Sequence, residues 1–166
     1  MSTCQPVVRT RTKSGRKPWS GRRAAKQNED VRSEPISTVM TTDLVSIDLD
    51  QPLSEAYHAL RGAPFEHIPV LDVDRPVGML SSTDILRLVY DVEGASDKML
   101  TSMLDHQFNI EDAMSSELVT LTTDATVHDA AEVLAEGKTH SILVLADGKL
   151  TGIVTTTDLV RYLRDL

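Results

Sequence analysis

The sequence predicts an α/β fold, of the α+β type, built from two copies of one β-α-β-β-α unit. The first observation is a repeated motif: residues 78–84 read Gly-Met-Leu-Ser-Ser-Thr-Asp, and residues 152–158 read Gly-Ile-Val-Thr-Thr-Thr-Asp. Each copy follows an apolar run and precedes a segment with helical apolar periodicity. The motif is therefore typical of a strand, a tight turn and the start of a helix, and its recurrence indicates a tandem duplication.

The second observation is that the duplication extends beyond the motif. Met40 and Met114 stand 74 residues apart, as do other apolar positions, whereas His67 and His140 stand 73 apart and predict a one-residue slip in a loop. Composition is the third observation, since 166 residues with 40% hydrophobic content can bury a core. Units of about 55 residues are marginal alone, so the two repeats are expected to pack as one pseudo-symmetric module.

The first repeat is predicted over residues 35–93. It begins with a turn over 35–40 and a short strand over 44–47, followed by a helix that starts at Pro52 and stops at Gly62. Strands over 67–71 and 77–80 follow, joined by an Asp/Arg/Pro turn, and apolar spacing predicts a final helix over 82–92.

The second repeat, over residues 109–166, is expected to follow the same order. It is predicted to contain strand 118–121, helix 126–136, strands 141–146 and 150–154, and helix 156–165. Asp147-Gly148 between two apolar runs is a strong hairpin signal. Residues 94–108 connect the repeats and are predicted to hold a short helix within 97–104.

The first 34 residues carry most of the positive charge. They contain nine Lys/Arg and three acids, whereas residues 35–166 contain eight Lys/Arg and 22 acids. Residues 1–34 also lack apolar periodicity, which predicts a disordered basic tail. Three interpretations remain open: a solvated tail, an arm at residues 9–32 that binds nucleic acid, an acidic partner or an anionic membrane, and an organelle transit peptide at residues 1–28.

Cysteine content and hydropathy bound the remaining classes. Cys4 is the only cysteine, which excludes a disulfide framework and a multi-cysteine metal site and fits a reducing, cytoplasmic compartment. The longest aliphatic run, 142–146, is far too short to cross a bilayer. We therefore expect a protein without a membrane span.

The two repeats resemble the cystathionine β-synthase (CBS) domain. The resemblance rests on the β-α-β-β-α order, the Gly-x-x-Ser/Thr-x-x-Asp endings, Met40 and Met114 before the first strands, and the His-Ile-Pro-Val sequence at 67–70. Two such units in tandem resemble a Bateman module, and the resemblance covers residues 35–166. It implies a regulatory sensor that needs no resident cofactor and binds an adenine nucleotide between the repeats, with Mg²⁺ only as a companion of the nucleotide.

The resemblance also implies a set of ligand-binding positions. Asp84 and Asp158 would accept hydrogen bonds from ribose hydroxyls, and the nearby Ser/Thr hydroxyls would lie near the ribose or the phosphates. First-strand positions would contact the adenine edge, and later strand positions would provide apolar walls. In chain order the set is Val45, Ser46, His67, Ile68, Pro69, Ser81, Thr83, Asp84, Val119, Thr120, His140, Ser141, Ile142, Thr155, Thr157 and Asp158.

The same residues have plainer interpretations. Ser/Thr-x-x-Asp before an apolar-periodic run is similar to a capping box, which stabilises a helix start without any ligand. His67 and His140 are either phosphate contacts or partly buried histidines at strand ends. Because residues 35–166 are acidic, AMP or ADP is expected in preference to ATP, with S-adenosyl methionine as another adenosine-containing alternative.

No catalytic arrangement is evident in the sequence. It contains no Gly-x-Ser-x-Gly motif, and no His/Asp/Glu group has metal-ligand spacing, so we expect a regulator of a separate, unknown protein and no enzyme. The resemblance also implies a homodimer through apolar helix faces, for which the candidates are Tyr57/Leu60, Ile85/Leu88/Val89 and Leu159/Tyr162/Leu163. The alternative is a ligand-free dimerising scaffold that acts through its basic arm.

Overall fold

Each repeat forms its own three-stranded sheet in the computed structural model, which describes residues 32–90 and 96–166. The first repeat contains a 3-10 turn Ile36–Thr38, β1 Ile47–Asp48, α1 Leu53–Leu60, β2 His67–Asp72, β3 Arg75–Ser81 and α2 Ser82–Leu88. The connection contains α3 Asp97–Gln107, and the second repeat begins with α4 Ile110–Ala113. The second repeat contains β4 Thr120–Thr122, α5 Val127–Ala135, β5 Ser141–Ala146, β6 Lys149–Thr155 and α6 Thr156–Asp165.

The two sheets have the same topology. In the first, β1 is parallel to the central β2, and β2 is antiparallel to β3; β4, β5 and β6 repeat this arrangement. A β-bulge interrupts both hairpins at equivalent places, between Val70 and Leu71 and between Val144 and Leu145. The predicted fold class, a mixed α/β fold with duplicated β-α-β-β-α units, is confirmed.

The strand register corrects the predicted slip between the repeats. His67 lies opposite Ser81, and Ser141 lies opposite Thr155, so His67 corresponds to Ser141 and the 74-residue spacing is constant through the sheets. His140 corresponds instead to Glu66. His67 and His140 suggested a one-residue deletion because they are identical residues, but they occupy adjacent positions of the repeat and are not equivalent.

The first hairpin turn also differs from the prediction. Val73 and Asp74 form the two-residue turn, and Arg75 and Pro76 belong to β3, which is an edge strand and tolerates proline. Val73 has φ 61°, in the left-handed region, as does its counterpart Asp147 with φ 50°. A β-branched residue is disfavoured in this conformation. Valine at position 73 therefore did not indicate a turn in the sequence.

The chain that precedes each sheet packs on the other repeat. Thr41 and Ile153 of β6 exchange backbone hydrogen bonds at 2.9 and 3.0 Å, and Ser115 and Met79 of β3 exchange two at 2.9 Å. The predicted strand 44–47 is therefore reduced to Ile47–Asp48, because the residues before it follow the opposite repeat. Each packed unit therefore consists of the sheet of one repeat and the leading segment of the other repeat.

Two hydrophobic cores reflect this exchange. One contains apolar residues of the first repeat together with Leu104 from the connection and Ile110 from the start of the second repeat, both fully buried. The other contains apolar residues of the second repeat, such as Val127 and Leu159, together with the fully buried Ile36. Replacing such a buried aliphatic residue by alanine costs about 2–5 kcal/mol, so each repeat depends on residues contributed by a segment outside its own strands and helices.

Two glycines of the repeated motif accommodate this crossing. A Cβ atom at Gly78 would overlap the Met114 side chain, with Cγ at 2.9 Å, and a Cβ atom at Gly152 would lie 2.8 Å from Sδ of Met40. Each glycine therefore receives the methionine that precedes the other repeat. Sequence analysis identified all four residues as a pattern but did not predict that they contact each other.

The connection between the repeats also completes a helix start. Pro52 precedes α1 and provides no side-chain cap. Asp105 of α3 accepts hydrogen bonds from the backbone N–H of Ser54 at 2.9 Å and from its hydroxyl at 2.8 Å. These bonds satisfy one of the N–H groups that a helix start leaves free and fix α3 against α1.

Part of the sequence-based interpretation concerns residues outside the described ranges. The tail at 1–34, the arm at 9–32 and the transit peptide at 1–28 lie there, except for residues 32–34, and so does the end of the predicted helix 82–92. Within residues 32–90 and 96–166, no helix is both long enough and apolar enough to cross a membrane.

Candidate functional site

A cleft of about 470 Å³ lies between the two repeats. The first repeat contributes residues at the end of its hairpin and at the start of α2. The second contributes its crossing segment as far as the residue before β4, the chain between α5 and β5, and the first part of β5. The lining residues are His67, Met79, Ser81, Asp84, Ser115, Glu117, Leu118, Val119, Lys138, Thr139, His140, Ser141 and Leu143. This volume is within the usual range for small-ligand pockets.

Asp84 lies in this cleft and is held by a capping box. Its Oδ2 accepts hydrogen bonds from the backbone N–H of Ser81 at 2.9 Å and from the Ser81 hydroxyl at 2.5 Å. Among the described residues, its Oδ1 has only a long contact of 3.4 Å to the guanidinium of Arg87, an exposed side chain. One carboxylate oxygen is therefore committed to the helix start, and the other remains available as an acceptor.

The second repeat has the same arrangement at Asp158. Its Oδ2 accepts from the N–H of Thr155 at 2.9 Å and from the Thr155 hydroxyl at 2.6 Å, and Arg161 contacts Oδ1 at 3.2 Å. The side chain of Asp158 is 11% exposed, against 22% for Asp84. Asp84 therefore presents more of its carboxylate to solvent.

The capping box by itself does not identify a ligand site. Thr126 and Asp129 form the same box at the start of α5, with hydrogen bonds of 2.8 and 2.7 Å to Oδ2 of Asp129. These bonds from Thr126 lower the pKa of the Asp129 carboxyl below its usual value. Asp129 does not line the inter-repeat cleft, so the position of Asp84 in the cleft, and not its box, marks it as a candidate ligand contact.

The cleft brings together six of the predicted site residues: His67, Ser81, Asp84, Val119, His140 and Ser141. Val45, Ser46, Thr155, Thr157 and Asp158, with Thr83 and Thr120, are not among its lining residues.

Three predicted residues are corrected by the structure. Ile68, Pro69 and Ile142 are essentially completely buried. Ile68 belongs to the first core and Ile142 to the second. They therefore have no accessible surface with which to form the apolar walls expected of them.

Sequence reasoning missed several lining residues for a common reason. Ser115, Glu117 and Leu118 reach the cleft because the second repeat's leading segment crosses to β3, and no local pattern indicates that crossing. Lys138 reaches it because Gly137, with φ 71°, ends the turn after α5 and directs the chain toward β5. Gly137 could be recognised in the sequence as a helix end, whereas no sequence pattern indicated the crossing.

A larger depression of about 680 Å³ lies elsewhere, at the other end of the first sheet. It is lined mainly by exposed residues, among them Asp48, Asp50, Asp72 and Glu111, and it contains none of the predicted site residues. Within the described ranges, no group of three or more His, Cys, Asp or Glu side chains is placed to hold a metal ion. We therefore take the inter-repeat cleft as the candidate site.

These features define a tandem module with a ligand-sized cleft between its halves. The family model of the CBS domain matches residues 36–91 and 110–165, and the chain belongs to the CBS-domain family. Proteins of this kind are regulatory.

The chain is also similar in sequence to individual known proteins. The chain is 31% identical over 126 residues to YlbB of Bacillus subtilis, which covers 75% of this chain and 78% of that protein. It is 28% identical over 155 residues to the uncharacterized protein MJ1404 of Methanocaldococcus jannaschii, covering 87% of this chain and 35% of the relative. The chain spans between 35% and 43% of the length of three such relatives from that organism.

Solved structures agree with the fold. A CBS domain-containing protein of Bacillus anthracis superposes with a TM-score of 0.70 at 19% identity, over 83% of this chain and 98% of that one. CBSX2, solved in complex with AMP, superposes with a TM-score of 0.64 at 25% identity, over 80% of this chain and 97% of that one.

Proposed function

We propose that this protein is a regulatory module that binds an adenine nucleotide, AMP or ADP in preference to ATP, between its two repeats and thereby modulates a separate partner. The observation that carries the proposal is the inter-repeat cleft, in which Asp84 of one repeat faces Val119 and Lys138 of the other. The structural similarity to CBSX2, a protein solved with AMP, supports it.

The chemistry of the cleft suits an adenosine compound. Oδ1 of Asp84 is an acceptor with only one long protein contact, and a carboxylate oxygen can accept from the vicinal hydroxyls of a ribose. Leu118 and Val119, the latter 36% exposed, offer apolar surface for the base. Glu117 adds negative charge near the site, which disfavours the long polyphosphate of ATP relative to AMP or ADP.

A regulatory effect requires that the nucleotide bind one arrangement of the repeats better than another. The cleft is formed by both repeats, so a bound ligand contacts residues of each. A change in how the repeats are arranged would alter these contacts and therefore the affinity. We further propose that the protein is a homodimer. Leu86 and Val160 occupy equivalent positions on α2 and α6 and are each 60% exposed, and Leu163 is 63% exposed.

The predicted dimer faces need revision on this point. Leu60, Ile85 and Leu159 belong to the two cores and are at most 9% exposed, so they cannot form such a contact. Sedimentation of the wild type beside Leu163→Glu tests the dimer, because a charge in the buried contact should produce monomers. A wild-type monomer would contradict this part of the proposal.

Isothermal titration of the full chain with AMP, ADP, ATP and S-adenosyl methionine tests the ligand. The decisive variant is Asp84→Asn, and the matched control is Asp129→Asn, which alters an identical capping box outside the cleft. We expect saturable binding that is lost in Asp84→Asn and kept in Asp129→Asn. Absence of binding by all four compounds, or equal behaviour of the two variants, would refute the proposal.

A further inference from the structure

The constant 74-residue spacing places a second set of positions, around Asp158, in symmetry equivalence to the residues that line the Asp84 cleft; this second set is called the Asp158 cleft. Backbone hydrogen bonds fix the correspondence at the critical place: the N–H of Ser82 donates to Glu66 at 3.4 Å, and the N–H of Thr156 donates to His140 at 3.3 Å. Glu66 therefore takes the position of His140. The first cleft contains Asp84, and its counterpart contains Asp158.

The two sets of positions differ in charge, although His67 lines the first and also belongs to the second, at the position equivalent to Ser141. In the Asp84 cleft, Lys138 and His140 stand against the acids Asp84 and Glu117. At the equivalent positions of the Asp158 cleft, Pro64 replaces the lysine, Glu66 replaces the histidine, and Asp43 replaces Glu117. The arginines beside the two aspartates, Arg87 and Arg161, are equivalent and do not distinguish the clefts.

This difference matters for an anionic ligand. A phosphate monoester carries a charge of about −1.5 to −2 at neutral pH. In the Asp84 cleft it meets an ammonium group and an imidazole, which offers an N–H donor even when neutral. In the Asp158 cleft it meets three carboxylates and the imidazole of His67, but no ammonium group, because Pro64 and Glu66 replace Lys138 and His140. A phosphate is therefore attracted to one cleft and repelled by the other.

Lys138 is free to exchange its present partner for a phosphate. Its ammonium contacts the carboxylate of Glu136 at 2.9 Å, but the two side chains are 83% and 60% exposed. Exposed ion pairs of this kind contribute little to stability, so breaking this one adds little to the cost of binding.

We infer that the protein binds a single phosphorylated adenosine compound per chain, in the Asp84 cleft, and that Lys138 and His140 select the phosphate while Glu66 excludes it from the Asp158 cleft. This inference rests on the proposed function and adds to it the identity of the cleft and the source of the specificity. The repeated motif alone does not indicate this preference, because the second repeat matches the Gly-x-x-Ser/Thr-x-x-Asp pattern at least as well as the first.

Isothermal titration of the full chain with AMP and with adenosine, which lacks the phosphate, tests the inference. The variants are Lys138→Gln and His140→Glu, and the matched control is Lys98→Gln, which removes the same charge from an exposed residue of α3 outside the cleft. We expect one AMP per chain. A charge-assisted contact to phosphate is about twice as strong as a neutral one, so Lys138→Gln should weaken AMP binding by about tenfold, and His140→Glu should weaken it further.

Adenosine binding should change less than twofold in Lys138→Gln, and Lys98→Gln should bind AMP as the wild type does. Two AMP molecules per chain, equal losses for AMP and adenosine, or loss of AMP in Asp158→Asn with retention in Asp84→Asn would each overturn the inference. Adenosine that binds as tightly as AMP would refute the inference and leave the proposed adenosine site standing. Absence of binding by both compounds would refute the two together.

Discussion

Replacing Gly78 with alanine would place a methyl group in space that the Met114 side chain occupies. The built Cβ atom lies 2.9 Å from Cγ and 3.2 Å from Cβ of Met114, and closer still to the sulfur. Gly78 lies within β3 and does not have a left-handed backbone conformation, so alanine is acceptable to the local backbone. Any loss of stability must therefore come from the contact between the repeats.

The magnitude follows from packing. Overpacking a well-filled site costs typically about 1–3 kcal/mol, and shortening a buried methionine to alanine costs about 2–5 kcal/mol. Met114 is only partly buried, so the low end applies to Met114→Ala. In the double variant the new methyl group occupies part of the space that the methionine leaves. We expect its cost to fall below the sum of the single costs by about 1–2 kcal/mol.

The assay is the free energy of unfolding in urea for the wild type, Gly78→Ala, Met114→Ala and the double variant. Met40→Ala combined with Gly78→Ala is the matched control, because Met40 contacts Gly152 instead and should show additive costs. Additivity in the Gly78–Met114 pair, or equal coupling in the control pair, would refute the crossing of the leading segments.

Three further predictions concern the turn, the exchanged segments and a titrating carboxyl. Val73→Asn should raise the free energy of unfolding by about 1 kcal/mol, because asparagine tolerates the left-handed conformation that valine does not; an unchanged or lower value in urea unfolding would contradict the turn. A fragment of residues 35–93 should show no cooperative thermal transition, because it lacks Leu104 and Ile110, and a fragment of 35–115 should regain one. Thr126→Ala should lower the free energy of unfolding most at neutral pH, because a carboxyl with a lowered pKa stabilises the folded state above its unfolded pKa. The difference from the wild type should shrink as the pH falls below 3.8, the ordinary pKa of Asp129. A difference that does not depend on pH would count against the capping box.

Local sequence signals predicted most of the secondary structure because the relevant interactions are local. The Asp147-Gly148 turn, the helix starting after Thr155 and strand β5 all lie where turn chemistry, capping and apolar runs place them. β1 was predicted three residues too early, because an apolar run at 44–47 does not reveal which neighbour its backbone will meet. The residues at the start of this run come directly after Thr41, which pairs with Ile153 of β6 in the other repeat, so they do not pair with β2.

The candidate site was predictable only in part for the same reason. Asp84 and Ser81 carry a motif, and the resemblance to a known family gave it a meaning. Lys138 and Glu117 carry none, because they enter the cleft through contacts between residues distant in sequence. Ile68 and Ile142 were assigned to the cleft by position, but they lie in the central strands β2 and β5, in which three consecutive residues are buried.

The crossing of the leading segments gives a nearly symmetric protein an unequal order of assembly during synthesis. The core of the first repeat draws on residues between Ile47 and Ile110, so it is complete before the second repeat has been made. The core of the second repeat needs Ile36, which is synthesised before the first sheet, and Leu159, which is synthesised after both strands of the second hairpin. Contacts so distant in sequence form slowly, and nascent chains fold as their parts emerge. The segment at 34–41 therefore remains without its backbone partners, which include Val127 and Ile153, until most of the second repeat has been synthesised.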